Sequence, residues 1–388
     1  MTGRHLKLLF AILCTAAFIY SQQTYVHALT QTGSAEQPSS DDFTVIMVGD
    51  ILLHDGIEKC AHMEDGSYDF SAIFAHTKQD IESADLAIVN EEVIIGGEEL
   101  RVTGYPSFNA PYEIADVLAE TGFDVICHAT NHALDRGKVG IENCLSYWKE
   151  NHPEVRTVGI YTSEEDSDRI CIFEKDGYKI AVLNYTYGTN GIPLPKGMPY
   201  AVNLLNENKV LSDLAKAEIE ADLTIVCPHW GTEYEHGTIG MQEKWAKLFA
   251  DNGADIIIGT HPHVIEPVEE IIASDGRKVP VYYSIGNFIN WTSGTGKGVA
   301  DRMVGAMAEV TLTKDANEEV VVKDYGVRPL VSHVRSMING STVYFLEDYT
   351  QAASFLNEIR KRDPEFSYYY CEDLCEEVFG DTAYPISR

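Results

Sequence analysis

Six short segments of this chain place histidine, carboxylate or asparagine side chains directly after a run of apolar residues. The pattern is densest where GTHPH (259–263) follows Ile256–Ile258 and where PHWG (228–231) follows Leu223–Val226. Imidazole nitrogens combined with carboxylate and amide oxygens suit Zn, Mn, Fe or Ni, so the six segments together predict a metal centre. Their metal-competent side chains are Asp50, His54, Asn90, Glu91, Glu92, Asn131, His132, Asp135, His229, Glu233, His261, His263 and Asn287.

Each segment has a structural alternative when it is taken alone. Asn131 is a good N-cap residue and could simply begin the next helix. Gly49 and Asp50 form a common turn dipeptide, and Glu92 could be an ordinary solvated charge. Because the same combination recurs after six separate apolar runs, the recurrence favours metal binding over six unrelated local roles.

The elements that must position these residues are short apolar runs alternating with amphipathic patterns. Runs of this length and β-branched content are typical of buried strands. The predicted strands are 43–48, 86–89, 125–127, 180–183, 223–226, 256–258 and 279–285, and the predicted helices are 110–120, 138–149, 209–219 and 242–250. The alternation predicts an α/β fold, in which ligands collect where the carboxyl ends of strands meet.

The pattern changes after about residue 300, where strands follow one another without crossover helices. The predicted strands there are 303–313, 319–322 and 341–345, and the predicted helices are 349–360 and 368–379. We therefore expect a core domain over residues 43–312. We expect residues 313–388 to form a mixed α/β extension that packs on or beside it.

The first residues have the pattern of an export signal. Arg4 and Lys7 precede the apolar stretch 8–20, and the segment 26–28 (VHA) resembles a small-residue cleavage site. The stretch is shorter than the ~20 residues that span a bilayer, which favours a signal peptide over residues 1–28 rather than a permanent anchor. Residues 29–42 are polar and read as a flexible linker. The expected location is extracytoplasmic, secreted or at the cell surface.

Charge and cysteine content narrow the function further. The 60 acidic and 29 basic residues give a formal net charge of −31, which repels nucleic acid and anionic membranes. An anionic substrate would need bound cations to supply local positive charge. The eight cysteines are scattered along the chain and do not indicate a disulfide framework.

Seven stretches occur in the order found in a known family and cover about residues 43–290. They are VGDILLH (48–54), ADLAIVNEE (84–92), FNAP (108–111), GFDVICHATNHALDRG (122–137), PHWGTEY (228–234), GADIIIGTHPHVIEP (253–267) and YYSIGNF (282–288). The chain resembles the CapA family of poly-γ-glutamate capsule biosynthesis proteins, whose core is related to calcineurin-like metallophosphatases. The resemblance implies a β-sandwich flanked by helices, in four layers α/β/β/α.

The resemblance also implies a centre of two divalent ions, which would be Mn, Zn or Fe. One ion is assigned to Asp50 and His263, the other to Asn131, His229 and His261, and Glu92 takes the bridging position. His132 matches the residue that protonates the leaving group in metallophosphatases, and Asp135 would orient it. Further ligands or substrate contacts are expected from His54, Asn90, Glu233, Asn287 and Arg302.

Two functions of different kinds follow from this resemblance. The first is an exported protein of poly-γ-glutamate capsule or envelope polymer biosynthesis whose metals hydrolyse a phosphoester-type bond. The second is a non-catalytic, metal-dependent polymer-binding or assembly factor of a membrane capsule-synthesis complex. The expected partner is an anionic envelope polymer or a phosphorylated small molecule. Arg302 and Lys297 could receive it, although the Gly-rich segment 293–298 lacks the spacing of a phosphate-binding loop, which favours a surface loop.

Overall fold

Two β-sheets form the centre of the molecule, which is a computed structural model describing residues 42–292, 294–335 and 340–380. The expected signal peptide and all but the last residue of the expected linker lie outside these described residues. The strands are β1 Phe43–Leu52, β2 Leu86–Glu91, β3 Val125–Cys127, β4 Arg156–Val158, β5 Cys171–Lys175, β6 Tyr178–Thr186, β7 Leu223–His229, β8 Ile256–Ile258, β9 Val268–Ile272, β10 Lys278–Tyr282, β11 Asn287–Asn290, β12 Val304–Lys314, β13 Val320–Val334 and β14 Ser341–Phe345.

The two sheets share a mixed topology with a parallel centre. The first has the order β14-β13-β12-β1-β2-β3-β4, with β11 pairing alongside the end of β1, and the second has the order β5-β6-β7-β8-β10-β9. Strands β1 to β4 run parallel, as do β6, β7, β8 and β10. The carboxyl ends of parallel strands meet at one edge of a sheet, which is where the polar segments lie.

Nine α-helices connect the strands in the described part of the chain. They are α1 Asp55–Ala61, α2 Lys78–Ser83, α3 Glu113–Thr121, α4 Gly137–Asn151, α5 Glu164–Ser167, α6 Glu207–Glu220, α7 Gly240–Asp251, α8 Gln351–Leu356 and α9 Tyr368–Phe379. None of these helices is both long and apolar enough to cross a bilayer. Side-chain caps begin several of them, as where Asn206 accepts a hydrogen bond from the main-chain N–H of Lys209 at the start of α6.

Three clusters of buried apolar residues show how the layers stack. Alternate residues of both sheets, such as Met47 and Ile225, share one cluster between the sheets. The opposite face of the first sheet packs on α3 and α4 through residues such as Val89 and Ile141. The opposite face of the second sheet packs on α6 and α7. The order is therefore helix, sheet, sheet, helix, which confirms the predicted four-layer α/β/β/α fold.

The strands that carry the polar residues run further than their apolar patterns predict. β1 continues to Leu52, β2 to Glu91 and β7 to His229, so that Asp50 and Asn90 lie within strands rather than after them. Ladder hydrogen bonds to neighbouring strands hold these polar residues in extended conformation, with a register shift between Val48 and Asp50. These strand ends are as buried as the apolar parts, and the apolar pattern misses them because their buried residues are polar.

The C-terminal elements also differ from their predicted bounds. β13 spans Val320–Val334 rather than 319–322, because it pairs along its length with β12 and closes the first sheet together with β14. The helix predicted over 349–360 is divided at Asn357, whose side chain accepts from the main-chain N–H of Ile359. Strands β4, β5, β9 and β11 were not predicted. The domain boundary at residue 312 stays a prediction.

Two glycines allow the strand ends to approach each other at the polar edge. A Cβ atom at Gly49 would lie 1.9 Å from the carbonyl oxygen of Gly286, and one at Gly259 would lie 2.1 Å from that of Tyr283. No side chain fits in either space, so glycine is required for β1 to reach the loop before β11 and for β8 to reach the end of β10.

A buried carboxyl group ties α7 to the loop that follows β8. Glu266 is fully buried, and its Oε2 accepts a hydrogen bond of 2.6 Å from Nε2 of Gln242, whose Oε1 accepts from the main-chain N–H of Ile239. Burial raises the pKa of Glu266 to about 8. The folded protein therefore retains a proton on this carboxyl group at a pH at which the unfolded chain has already lost it.

The substitution Glu266→Gln should flatten part of the pH dependence of stability. The raised pKa contributes stability that is full below pH ~4.5 and is lost as pH rises towards 8, because the unfolded chain then binds fewer protons. Glutamine keeps the bond to Gln242 without the titration, so thermal melts from pH 5 to 9 should show the variant gaining over the parent as pH rises. Each pKa unit corresponds to roughly 1.4 kcal/mol. The exposed Glu220→Gln is the control, and equal slopes in all three proteins would refute the assignment.

Candidate metal centre

The centre is assembled from the ends of strands in both sheets. Asp50 of β1 lies beside Asn90 of β2 in the parallel ladder and beside Asn287 of β11 on its other side. From the second sheet, His229 is the last residue of β7, and His261 lies in the loop after β8. Because β1 and β7 belong to different sheets, the site depends on the packing of the two sheets.

The side chains form two overlapping groups of metal-competent atoms. One group is Asp50, Glu92 and His263, and the other is Glu92, His229 and His261, each with ligand atoms within 4.8 Å of one another. Glu92 Oε1 lies 3.6 Å from His263 Nε2 and 3.9 Å from His229 Nε2. The carboxylate of Glu92 is therefore shared by the two groups, in the position that the resemblance gives to a bridging ligand.

Glu92 provides the test of whether a cation fits this cluster. Both of its carboxylate oxygens are buried and have no hydrogen-bond partner, and the buried Nδ1 atom of His261 has none either. Burial, with the charge of Asp50 adding to it, raises the pKa of Glu92, and His263 offsets this only in part. Unpartnered polar atoms of this kind are rare in folded proteins, and divalent ions satisfy them. The residues fit a metal.

The histidines are in states that favour metal binding. Burial, with the neighbouring histidines adding to it, lowers the pKa of His229 and of His261 well below 6.5, so both rings are neutral at physiological pH. Burial opposes the charged form of His263 too, but Glu92 and Asp50 outweigh it and raise the pKa of His263 to about 9. A cation would displace that proton, because metal ligands must be deprotonated.

A further set of hydrogen bonds fixes the orientation of the ligands. Nδ1 of His229 lies 3.0 Å from Thr260 Oγ1, and its Nε2 lies 2.9 Å from Oδ1 of Asn131. The Nδ2 group of Asn90 donates to Asp50 Oδ1 at 2.8 Å. Such partners hold rings and carboxylates in the geometry that a metal requires.

Backbone strain is concentrated around the same cluster. Of the described residues other than glycine, seven have a positive φ, and four of these surround the centre: Asn190, Tyr234, His261 and His263. A positive φ is costly for residues with a Cβ atom, particularly for a histidine at φ 101° such as His261. Strain of this kind persists where the surrounding structure enforces it, and it is common at functional sites.

His132 lies beside the cluster and is tied to Asp135. Nδ1 of His132 lies 2.7 Å from Asp135 Oδ2, which also accepts from the main-chain N–H of Phe108 at 2.7 Å. The ring of Phe108 packs edge-on against His132 with centroids 4.7 Å apart. The Nδ2 atom of Asn190 lies 3.5 Å from Nε2 of the same imidazole. The imidazole is therefore oriented from several sides.

The remaining expected contacts occupy the surroundings of the centre. Asn287 Oδ1 lies 3.1 Å from His263 Nδ1. The exposed Glu233 forms a third group of metal-competent atoms with His261 and His263. His54 lies outside all three groups and packs on Phe108, and burial, with His263 adding to it, lowers the pKa of His54 to about 4. These roles stay predictions.

Three residues around the site were missed by reasoning from the sequence. They are Phe108, Asn190 and Thr260. Thr260 lies inside the GTHPH segment, so its position among histidines was a usable signal. Asn190 belongs to a Thr-Asn-Gly turn and carries only the general signature of turns, which says nothing about a site.

The fold and the cluster together define a class, that of four-layer α/β proteins with a buried His/carboxylate metal-ligand cluster at the carboxyl ends of their strands. Residues 44–292 match the model of the family described as "Bacterial capsule synthesis protein PGA_cap". The chain therefore belongs to this family, and the resemblance to CapA proteins is confirmed.

Two named relatives show similar extents of alignment. The chain is 27% identical over 293 residues to the capsule biosynthesis protein CapA of Bacillus anthracis, covering 72% of this chain and 68% of the relative. It is 28% identical over 276 residues to the PGA biosynthesis protein CapA of Bacillus subtilis, covering 68% and 70%. Both alignments leave about a third of each chain unmatched.

Solved structures align less closely. The NAD nucleotidase of Haemophilus influenzae aligns with a TM-score of 0.46 and 13% identity over 75% of this chain and 52% of its own. The sulfate thiohydrolase SoxB of Thermus thermophilus aligns with a TM-score of 0.38 and 12% identity over 76% of this chain and 57% of its own. At these scores no functional argument follows, and the architecture is established by the sheets and cores of this chain.

The shared position of Glu92 leads to a prediction that separates it from its neighbour Glu91. Glu92→Gln should lose bound divalent metal, with affinity weakened by at least about 100-fold, the upper end of the loss seen for outer partners of a ligand. Glu91→Gln should keep it, because Glu91 Oε1 accepts from the main-chain N–H of Val93 and belongs to none of the three groups. Elemental analysis after dialysis against Mn, Zn or Fe measures the difference. Equal metal content in the two variants would remove Glu92 from the centre.

Proposed function

We propose that this protein is a metal-dependent hydrolase of a phosphoester-type bond that acts in the biosynthesis of poly-γ-glutamate capsule or a related envelope polymer. The observation that carries the proposal is the Glu92 carboxylate, buried without a hydrogen-bond partner among histidines, beside the His132–Asp135 pair. A divalent ion at such a cluster would act as a Lewis acid on the reacting group. Asp50, Glu92, Asn131, His229, His261 and His263 would hold two such ions.

Side chains beside the cluster would supply the proton for the leaving group and hold the proton donor in place. With its Nδ1–H donated to Asp135, His132 presents Nε2 as the atom that transfers a proton to the leaving group. His132 is 7% exposed, whereas Glu92 is 1% exposed. Such a gradient suits a substrate that enters from solvent with its leaving group towards His132. Phe108 and Asn190 hold the ring in place.

The capsule context is supported by the family and by the names of two relatives, which describe capsule or PGA biosynthesis. We place the protein outside the cytoplasm, exported by residues 1–28, because the polymer of a capsule accumulates at the cell surface. Its partner would be the acidic polymer or a phosphorylated precursor. Association with a membrane capsule-synthesis complex belongs to the same proposal. A surface of net charge −31 excludes nucleic acid from these partners.

The role of His132 is tested with His132→Ala in the metal-loaded protein. Loss of a positioned general acid typically lowers turnover by about 10²–10⁴-fold. We therefore expect kcat for phenyl phosphate or diphenyl phosphate, whose phenolate leaving groups need a proton, to fall within that range, with metal content unchanged. His62→Ala is the matched control, because His62 is exposed and belongs to none of the groups around the centre. Unchanged turnover in His132→Ala would remove this residue from the reaction.

Failure of the parent protein to hydrolyse either ester with Mn, Zn or Fe would overturn the hydrolase proposal. Binding of a γ-glutamate oligomer that disappears in chelator would then assign the same centre to metal-dependent polymer binding. If the oligomer still binds in the presence of chelator, the metals would be required neither for hydrolysis nor for polymer binding.

A further inference from the structure

Arg302 is a cation beside the metal centre that lacks a carboxylate partner. It lies in the 3₁₀-helix Ala300–Met303, and its guanidinium carbon is 3.6 Å from the ring centroid of Tyr234. Its Nη1 donates to Thr292 Oγ1 at 3.1 Å, whereas its Nε is buried without a hydrogen-bond partner. In the described part of the chain no ion pair within 4.0 Å includes Arg302; its neighbour Asp301 pairs with His236 at 3.3 Å, although Arg302 is close enough to act on the charge of Asp301.

The main chain of Arg302 is joined directly to the centre. Asn287 Nδ2 donates to the carbonyl oxygen of Arg302 at 3.0 Å, and Oδ1 of the same amide lies 3.1 Å from Nδ1 of His263. The ring of Tyr234 lies 6.0 Å from the ring of His263. The stacked pair of Arg302 and Tyr234 is therefore part of the surroundings of His263.

A second arginine in the same chain shows what a purely structural role looks like. Arg328 stacks on Phe345 at 3.5 Å, almost the same distance as in the Arg302 pair. Its guanidinium is also paired with three carboxylates, those of Asp80, Glu309 and Glu347. Arg328 thus combines stacking with ion pairs, whereas Arg302 stacks on Tyr234 and donates to Thr292. The guanidinium of Arg302 still has N–H groups that can donate hydrogen bonds to an additional anion.

The nearby Glu233 is the group that most opposes an anion here. The side chain of Glu233 is exposed, and its carboxylate interacts by a hydrogen bond with the hydroxyl group of Tyr234. The same carboxylate lies within reach of His261 and His263 in the third group of metal-competent atoms. With a cation in that group, its charge is offset, and Arg302 remains the positive group at this side of the site.

We propose that Arg302, held by Tyr234 and Thr292, binds a second acidic group of the substrate, apart from the group that reacts at the metal cluster. The shared chemistry is an oxyanion, carboxylate or phosphate, whose two oxygens match the fork of a guanidinium. The substrate class is therefore an oligoanion with at least two acidic groups. This inference deepens the proposed function and depends on it only for turnover of the substrate.

The kinetic test compares two esters that differ by one acidic group. Arg302→Gln should raise KM for 4-carboxyphenyl phosphate by roughly tenfold or more, since hydrogen bonds to a charged group contribute strongly. KM for phenyl phosphate should stay within about twofold of the parent. Arg302→Lys should recover only part of the loss, because an ammonium lacks the fork. Equal effects on both esters, or none on either, would overturn the proposal.

A binding experiment separates this inference from the hydrolase proposal. Calorimetric titration of the metal-loaded protein with tri-γ-glutamate and with inorganic phosphate needs no turnover. Weaker tri-γ-glutamate binding in Arg302→Gln with unchanged phosphate binding identifies a carboxylate, and the reverse identifies a phosphate. If Arg302→Gln weakens the binding of neither ligand, the role of Arg302 is overturned, even when the protein is a hydrolase. Lys244→Gln is the control, since Lys244 is an exposed cation of α7 away from the cluster, and metal content verifies that each variant is folded.

Discussion

Desolvation of the Glu92 carboxylate is the constraint on which the arrangement of the site depends. A carboxylate with both oxygens buried and unbonded would be strongly destabilising by itself. The chain therefore surrounds it with three histidines, supplied by the end of β7 and by the loop after β8. That is possible only because the parallel strands of both sheets end at the same place. The cluster therefore depends on the packing of the two sheets.

The strained residues show how the fold enforces this convergence. His261 and His263 both have a positive φ, although neither is a residue that prefers it. The loop that carries them is fixed at one end by Gly259 against β10 and at the other by Glu266 against α7. Rigid apolar layers on both faces of the sheets absorb the cost of the strain. The side chains of the site are thus held in position before any ligand binds. This favours binding of a metal, because few groups must be ordered when it binds.

The sequence was sufficient to identify the fold class, because buried strands have recognisable patterns, and it named the candidate metal ligands that the fold brings together. It was not sufficient where a role depends on partners far along the chain. Asn190 reaches His132 across 58 positions, and no local pattern announces that contact. Strand β13 contains Lys323 and Pro329, which interrupt its apolar pattern, and only its ladder with β12 shows that it is continuous. Tertiary packing determines where strands with polar ends stop and which distant side chains come into contact.

The distribution of positive charge gives the acidic character of the chain a function. A protein with a formal net charge of −31 repels anions over most of its surface. Attraction is then confined to places where cations are concentrated, and the candidate metal cluster beside the Arg302 guanidinium would be such a place once it held divalent ions. Arg328, by contrast, is neutralised by carboxylates and binds the first sheet to its neighbours. Under the proposed function, repulsion elsewhere and attraction at this site would together select an acidic ligand by position as well as by affinity.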